Sequence, residues 1–296
     1  MKKCIYILLP VHNRREITGD FIDCLEAQTW QNYHLVLIDD GSTDGTEQMV
    51  RERVESLTVI RGNGDWWWAG CLQQGFNFLK KRGLSPDDYV LIINDDVVFK
   101  NDFLAKGISI LDKNKQTLLL AQFQEGDNAP PQETGLHFDF KKLTFSAPSS
   151  SNDINCLSTR GLFLKWTDFE NIGGFHPTLL PHYFSDYEFT IRAHNKGYKC
   201  LTSSEVTLST MSLTKGKLQI DYSSYFRLWR SLFSKKAIYN PIYQISFVIL
   251  VCPMKWIPRN LLKVIYTILL INFRYLNSKL KEISTSQKIK QETKKK

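Results

Sequence analysis

An α/β fold, with a mainly parallel sheet covered by helices on both faces and a helical C-terminal segment after it, is predicted for this chain of 296 residues by three features. Apolar runs of strand length alternate with stretches of helical spacing through roughly the first hundred residues, the pattern of βαβ units. Those runs are continuous rather than interleaved with polar residues, as strands buried on both faces require. Charge is divided along the chain: residues 1–214 carry 21 Lys+Arg and 27 Asp+Glu, net −6, whereas residues 215–296 carry 17 and 3, net +14. Residues 1–214 are therefore read as the α/β domain, and 215–296 as a basic, amphipathic helical region with a disordered Lys-rich tail. An apolar content of 43%, with 12% aromatic residues, supports a sizeable core and excludes a disordered chain, a collagen or a disulfide-stapled peptide.

In chain order, the start MKKCIYILLP imitates a signal peptide, but its apolar run over 4–9 is too short for one and reads as a buried first strand. A helix over 17–29, a strand over 34–38, a helix over 46–54 and a strand over 57–60 follow. Helical spacing over 69–81 leads into a buried strand over 89–93 that ends in Asn94-Asp95-Asp96. From about 116 to 156 the pattern is irregular, with Pro130-Pro131 and Pro148, and suits short antiparallel strands and loops at the sheet's edge. Order returns over 161–166, then a Gly173-Gly174 turn, then a helix over 185–196 stopped by Gly197. The six cysteines form no C-x-x-C pair, which suggests neither a zinc site nor a disulfide framework and makes a reducing cytosol the default. Beyond 215, the apolar runs 242–252 and 261–271 are interrupted by Pro253 and Pro258. Each is too short to cross a bilayer core of about 30 Å, which takes roughly 20 helical residues. Helices lying in a membrane interface fit them better.

Three short segments carry candidate chemistry. Asp39-Asp40-Gly41-Ser42-Thr43-Asp44-Gly45-Thr46 follows an apolar strand, where carboxylates can accept hydrogen bonds from a nucleobase or ribose; plain turn and cap chemistry explains the same residues. The Pro10-Val11-His12-Asn13 loop after the first strand has the same two readings. Asn94-Asp95-Asp96-Val97 sets two carboxylates against an apolar run, which calls for a compensating cation, and hard oxygen ligands favour Mg²⁺ or Mn²⁺ bridging a diphosphate. Solvated strand caps are the alternative. In Ser185-Asp186-Tyr187-Glu188-Phe189-Thr190-Ile191-Arg192 the acids sit at a helix start and Arg192 can pair with Glu188 four residues before it; either these are dipole-favoured acids or one is a general base.

Taken in order, PVHN, VLIDDGSTDGT, the NDDV aspartates, NIGGF and SDYEFTIRAHNKGY resemble the family 2 glycosyltransferases of inverting type and GT-A, Rossmann-like fold, across roughly residues 3–210. The resemblance implies that Pro10, His12, Asn13, Asp39 and Asp40 hold the base and ribose of a nucleotide-sugar, with 61–64, Asn63 among them, completing the pocket. It implies that Asp96 and Asp95 hold a divalent metal, Asp95 also touching the donor, and that Asp186 is the catalytic base. Glu188, Arg192, Gly174 and Phe175 would form the acceptor side, Phe175 stacking on a sugar ring. Three consecutive indoles, Trp66-Trp67-Trp68, cannot all point inward, so at least one is expected to line the cleft, Trp67 towards the donor and Trp68 towards the acceptor. Two departures stand out: relatives place a metal-binding histidine where this chain has Val206-Thr207-Leu208-Ser209, and Ser185 stands where an acid is common.

The expected function is transfer of a hexosyl or deoxyhexosyl unit from a UDP- or dTDP-sugar to a hydroxyl of a glycan or lipid-linked acceptor in surface polysaccharide synthesis. The alternative is a catalytically inactive glycan-binding or scaffold member of a membrane polysaccharide assembly. A nucleotidyltransferase would show a Gly-rich loop after the first strand, whereas His12-Asn13-Arg14-Arg15 has no glycine until Gly19. For the basic region, a membrane-surface anchor, an arm for homo-oligomerisation and a nucleic-acid tail are the three readings. Aromatic and apolar residues between the charges favour the first, and no nucleic-acid motif accompanies the charge. A cytoplasmic protein peripheral to the inner face of the cell membrane is thus expected.

Overall fold

The structure, a computed structural model, describes residues 3–125, 134–210 and 220–293, with side chains described to residue 280. The chain divides into two compact units, Met1–Asp139 with Leu143–Lys215, and Phe140–Lys142 with Gly216–Lys296.

Among the described residues, the first unit has nine strands: β1 (Ile5–Val11), β2 (Tyr33–Asp39), β3 (Leu57–Arg61), β4 (Tyr89–Ile92), β5 (Thr117–Gln124), β6 (His137–Asp139), β7 (Thr144–Ser146), β8 (Leu162–Lys165) and β9 (Lys199–Ser209). Seven form one sheet in the order β3-β2-β1-β4-β8-β5-β9, and β6 pairs with β7 separately. Only β8 in the large sheet runs against its neighbours. Its helices are α1 (Arg15–Glu26), α2 (Thr46–Arg53), α3 (Trp67–Arg82), α4 (Phe103–Lys113), α5 (Trp166–Ile172) and α6 (Ser185–Asn195).

Because side chains alternate across a strand, β1 sends Ile5, Ile7 and Leu9 to one face and Tyr6 and Leu8 to the other. The first set packs with Phe21, Ile22 and Leu25 of α1 and with Phe103 and Leu104 of α4. The second packs with Ala69, Leu72 and Leu79 of α3, Phe169 of α5 and Phe189 of α6. The sheet is thus buried on both sides, as its unbroken apolar runs require. Gly107 lets α4 lie close on β8, since a Cβ there would meet the Phe163 ring at 2.5 Å.

One expectation is corrected, and two helices are added. Of the short antiparallel strands and loops expected over 116–156, β6 and β7 form such a pair, but residues 116–124 do not lie at the edge: β5 is inside the sheet between β8 and β9, with Thr117–Ala121 buried. Gln122 and Gln124 break its apolar pattern, and the pairing with β9 shifts register between Ala121 and Gln122. Helices α4 and α5 were not anticipated, although Phe103, Leu104, Ile108 and Leu111 carry helical spacing. Residues 126–133, which include Pro130-Pro131, lie outside the described residues.

The second unit comprises α7 (Tyr225–Leu232), α8 (Pro241–Val251) and α9 (Ile257–Thr293). Pro253 follows the end of α8, but Pro258 sits in the first turn of α9, where its missing N–H costs nothing. Leu228 and Leu232 of α7 pack on Ile271 of α9, with Ile220, Tyr222 and Tyr275 around them. Buried Asn260 donates through Nδ2 to the Phe140 carbonyl at 2.8 Å and the Cys252 Sγ at 3.3 Å. The tail expected to be disordered is helical as far as Thr293, a stretch without Gly or Pro to stop α9; its last residues, 294–296, lie outside the described residues. Among the described residues no helix is long and apolar enough to cross a membrane.

Candidate active site

Strands β3, β2, β1 and β4 are parallel, so the loops that leave their C-terminal ends share one edge of the sheet. The chain steps outward from β1 to β2 and β3, then returns to place β4 on the other side of β1. That reversal opens a crevice beside β1, the place where open α/β sheets bind ligands.

On the β2 side, the two predicted loops are stitched together. Asn13, with a left-handed backbone at φ +51°, accepts the Thr43 N–H through Oδ1 at 2.8 Å, and its own N–H donates to Ser42 Oγ at 2.9 Å. His12 Nδ1 lies 2.6 Å from the Asp40 carbonyl, while Pro10 sits in register with Ile38. Asp39 is buried and accepts the Ser42 N–H at 2.7 Å. Asp40, also buried, is a loop anchor: Oδ1 accepts the Gly64 N–H at 2.8 Å, and Oδ2 accepts the N–H groups of Trp66 at 2.9 Å and Trp67 at 3.2 Å. The segment over Gly62 is so close that a Cβ there would collide with Asp40 Oδ1. Asn63 is exposed and accepts the Asp65 N–H at 3.2 Å.

All three indoles are half-buried. Trp66 and Trp68 pack on the α3 side of the core, and Trp68 donates through Nε1 to Thr159 Oγ1 at 3.0 Å. Trp67 differs. Its backbone is left-handed at φ +58°, a strained state for a bulky residue and one concentrated at functional sites. Its Nε1 donates to Asp65 Oδ1 at 3.0 Å, and its ring meets His182 edge-on at 5.8 Å. Together with the Ala69 N–H donating to the Pro181 carbonyl at 3.0 Å, this contact ties the loop after β3 to the segment that leads into α6.

On the β4 side, Asp95 is buried. It accepts a hydrogen bond from Thr18 Oγ1 at 3.0 Å and pairs with Arg14 Nε at 3.1 Å. Burial pushes its carboxyl up to about 6, against the pull of the Arg14 guanidinium and the Thr18 hydroxyl. Asp96 is partly exposed: Oδ2 lies 3.4 Å from Arg14 Nη2, whereas Oδ1 is buried without a hydrogen-bond partner. A buried carboxylate oxygen lacking a donor is costly, and a cation compensates it. Two adjacent carboxylates are also the protein's usual share of an Mg²⁺ or Mn²⁺ site completed by substrate phosphates. The residues therefore fit such a cation as a two-carboxylate site, and among the described residues no group of three or more His, Cys, Asp or Glu gathers to hold one.

Asp186 lies half-buried in the first turn of α6, its Oδ1 accepting the Tyr187 N–H at 2.9 Å. Phe184 before it is left-handed at φ +66°. The acceptor-side expectations need revision. Phe175 is buried, stacked on Phe189 at 4.8 Å and edge-on to Phe169, so its faces serve the core. Arg192 pairs with buried Glu188 through Nε at 2.7 Å and Nη2 at 3.1 Å, and donates to the carbonyls of Ile172 at 2.6 Å and Gly174 at 2.7 Å. The pair thus fastens α6 to the turn after α5. Gly174 approaches Gln73, which leaves no room for a Cβ and whose Oε1 accepts the Phe175 N–H at 2.6 Å.

Arg14, Thr18 and Gln73 were missed by sequence reasoning. Arg14 directly follows the PVHN motif, and Thr18 is a fully buried polar residue on an amphipathic helix, a signal available only once the helix's buried face is known.

Comparison with known proteins agrees with this geometry. Residues 6–168 match glycosyl transferase family 2. The amylovoran biosynthesis glycosyltransferase AmsB of Erwinia amylovora is 24% identical over 213 residues, 65% of this chain and 64% of AmsB. Glycosyltransferase GlyG of Streptococcus pneumoniae is 24% identical over 35% of this chain and 34% of its own length. The chain thus spans less than two thirds of these relatives. Among solved structures, the mannosyltransferase PcManGT of Pyrobaculum calidifontis with GDP-Man and Mn²⁺ superposes with a TM-score of 0.55 at 18% identity, over 89% of this chain and 73% of that one. S. aureus TarS 1–349 with UDP-GlcNAc gives 0.56 at 15%, over 89% and 71%. These likenesses establish the shared GT-A fold.

Proposed function

The chain belongs to glycosyl transferase family 2, and from that premise we propose that it moves a hexosyl or deoxyhexosyl unit from a nucleoside-diphosphate sugar to a hydroxyl of a glycan or lipid-linked acceptor, inverting the anomeric carbon. The work belongs to surface polysaccharide synthesis at the inner face of the cell membrane. One observation carries the reading: at the reversal point of the sheet, Asp96 keeps a buried oxygen without a partner beside buried Asp95. The donors in the PcManGT and TarS structures, and the name of the Erwinia relative, support it.

In this reading Asp39 and the stitched 10–13 loop orient the nucleoside, while Asp40 keeps the 62–67 loop in place for it. Asp95 and Asp96 would hold Mg²⁺ or Mn²⁺, which when bound supplies positive charge against the diphosphate. Trp67 borders the sugar. Asp186 accepts the proton of the acceptor hydroxyl as that oxygen bonds to the anomeric carbon and the bond to the diphosphate breaks, with no covalent enzyme intermediate.

Asp186→Asn keeps the side chain's shape and removes its basicity. Transfer is expected to fall by at least about a hundredfold, the lower range for a lost general base, while thermal shifts with UDP, dTDP or GDP in the presence of Mn²⁺ stay as in the parent. Undiminished turnover would remove Asp186 from its role, and no shift with any nucleotide would favour an inactive scaffold.

A further inference from the structure

Helix α9 carries two apolar faces, and only one is used inside its unit. Asn260, Val264 and Ile271 are buried. At about 100° per residue, Leu262, Tyr266, Leu269, Phe273, Leu276 and Leu280 form a stripe on the opposite side, spaced four and three residues apart in alternation, and each is between 56% and 67% exposed. On α8, Ile242, Ile245 and Ile249 repeat that spacing and are also exposed. An outward apolar stripe this long is no accident of surface composition. Its spacing suits either a helix partner or an interface between water and hydrocarbon.

The flanking charges decide between them. From 257 to 280 the chain carries Arg259, Lys263, Arg274 and Lys279 and no Asp or Glu. Lys263 and Arg274 border the stripe on one side and Lys279 on the other. A second copy would set like charge against like along the seam, whereas anionic headgroups complement it, each Lys or Arg near such a surface being favourable. We propose that the Leu262–Leu280 stripe of α9 is a lipid-contact face that seats the helix lengthwise in an anionic membrane surface. This rests on the membrane placement given above and specifies which side chains make it.

The test is co-sedimentation of the full-length protein with vesicles of equal parts phosphatidylcholine and phosphatidylglycerol, without nucleotide. The parent is expected to bind, less so as salt is raised, and the double variant Leu269→Glu with Phe273→Glu to bind at least about tenfold more weakly, because the apolar surface no longer transfers favourably. Leu262→Gln with Leu276→Gln is expected to weaken binding too, and Leu269→Phe to preserve it. Melting temperatures matching the parent show that the variants are folded. Undiminished binding by both double variants overturns the proposal, as does a dimer in sedimentation velocity that Phe273→Glu dissociates while vesicles are ignored. Nucleotide-dependent thermal shifts measured without lipid report on the transferase reading separately, so one can fail without the other.

Discussion

Asp39-Asp40 closes β2 and Asp95-Asp96 follows β4, each pair set at the end of a buried apolar strand on the same edge of the sheet. In the first, Asp40 accepts three backbone N–H groups and so holds a loop. In the second, Asp95 faces a side-chain cation and a hydroxyl, and Asp96 retains an oxygen without a donor. Backbone donors cannot leave when a ligand arrives, whereas an unpartnered oxygen is free to take one. The same dipeptide in the same topological position is thus a folding device in one loop and, on the proposed function, a ligand device in the next, and mutations should separate the two.

The largest effect is expected from the folding device. Asp40→Ala strips the acceptor from the N–H groups of Gly64, Trp66 and Trp67. Leaving donors unsatisfied costs about 1–3 kcal/mol each when buried, and these are part-buried, so a loss of about 3 kcal/mol in total is expected. Thermal denaturation should show it as a drop of roughly 6–12 °C for a unit of this size. A melting temperature within a degree or so of the parent would deny Asp40 its role as anchor.

Arg14→Ala touches the second pair and should cost less. Breaking a buried ion pair from one side costs about 3–5 kcal/mol, but the Arg14 side chain is 34% exposed and water replaces part of what Asp95 loses. A loss of about 1–2 kcal/mol is expected, visible as a shift of the urea midpoint, with Arg14→Lys recovering part of it because the charge stays and the fork is lost. If Arg14→Ala destabilised more than Asp40→Ala, the assignment of the two pairs would have to be exchanged.

This contrast was only half legible in the sequence. Both pairs stood out as acids ending apolar runs, and β1 to β4 with α1 to α3 could be traced because their runs are continuous and their turns short. What distinguishes the pairs is who answers them. Thr18 lies 77 positions from Asp95, and the Trp66 N–H lies 26 from Asp40, distances over which no local pattern reports a contact. Phe175 misled for a related reason: a Gly-Gly-Phe turn reads as exposed until Phe169 and Phe189, from two other helices, close over the ring. Strand β5 escaped because polar Gln122 ends its apolar run, at the point where its pairing with β9 shifts register.

The smallest effect on folding is expected where the effect on ligand is greatest. Asp96→Asn preserves shape, removes no hydrogen bond from Oδ1 because none is made there, and weakens only a 3.4 Å contact with a partly exposed arginine. Exposed pairs of this kind are worth about 0–1 kcal/mol, and easing the repulsion from Asp95 works the other way, so the melting temperature should stay within about 2 °C of the parent. The Mn²⁺-dependent part of nucleotide binding, read by calorimetry with and without the cation, should vanish, since a neutral amide oxygen is a far poorer ligand for a hard cation than a carboxylate. Retention of that cation dependence alongside an unchanged melting temperature would leave Asp95 as the sole carboxylate ligand and would place the unpartnered oxygen of Asp96 outside the site.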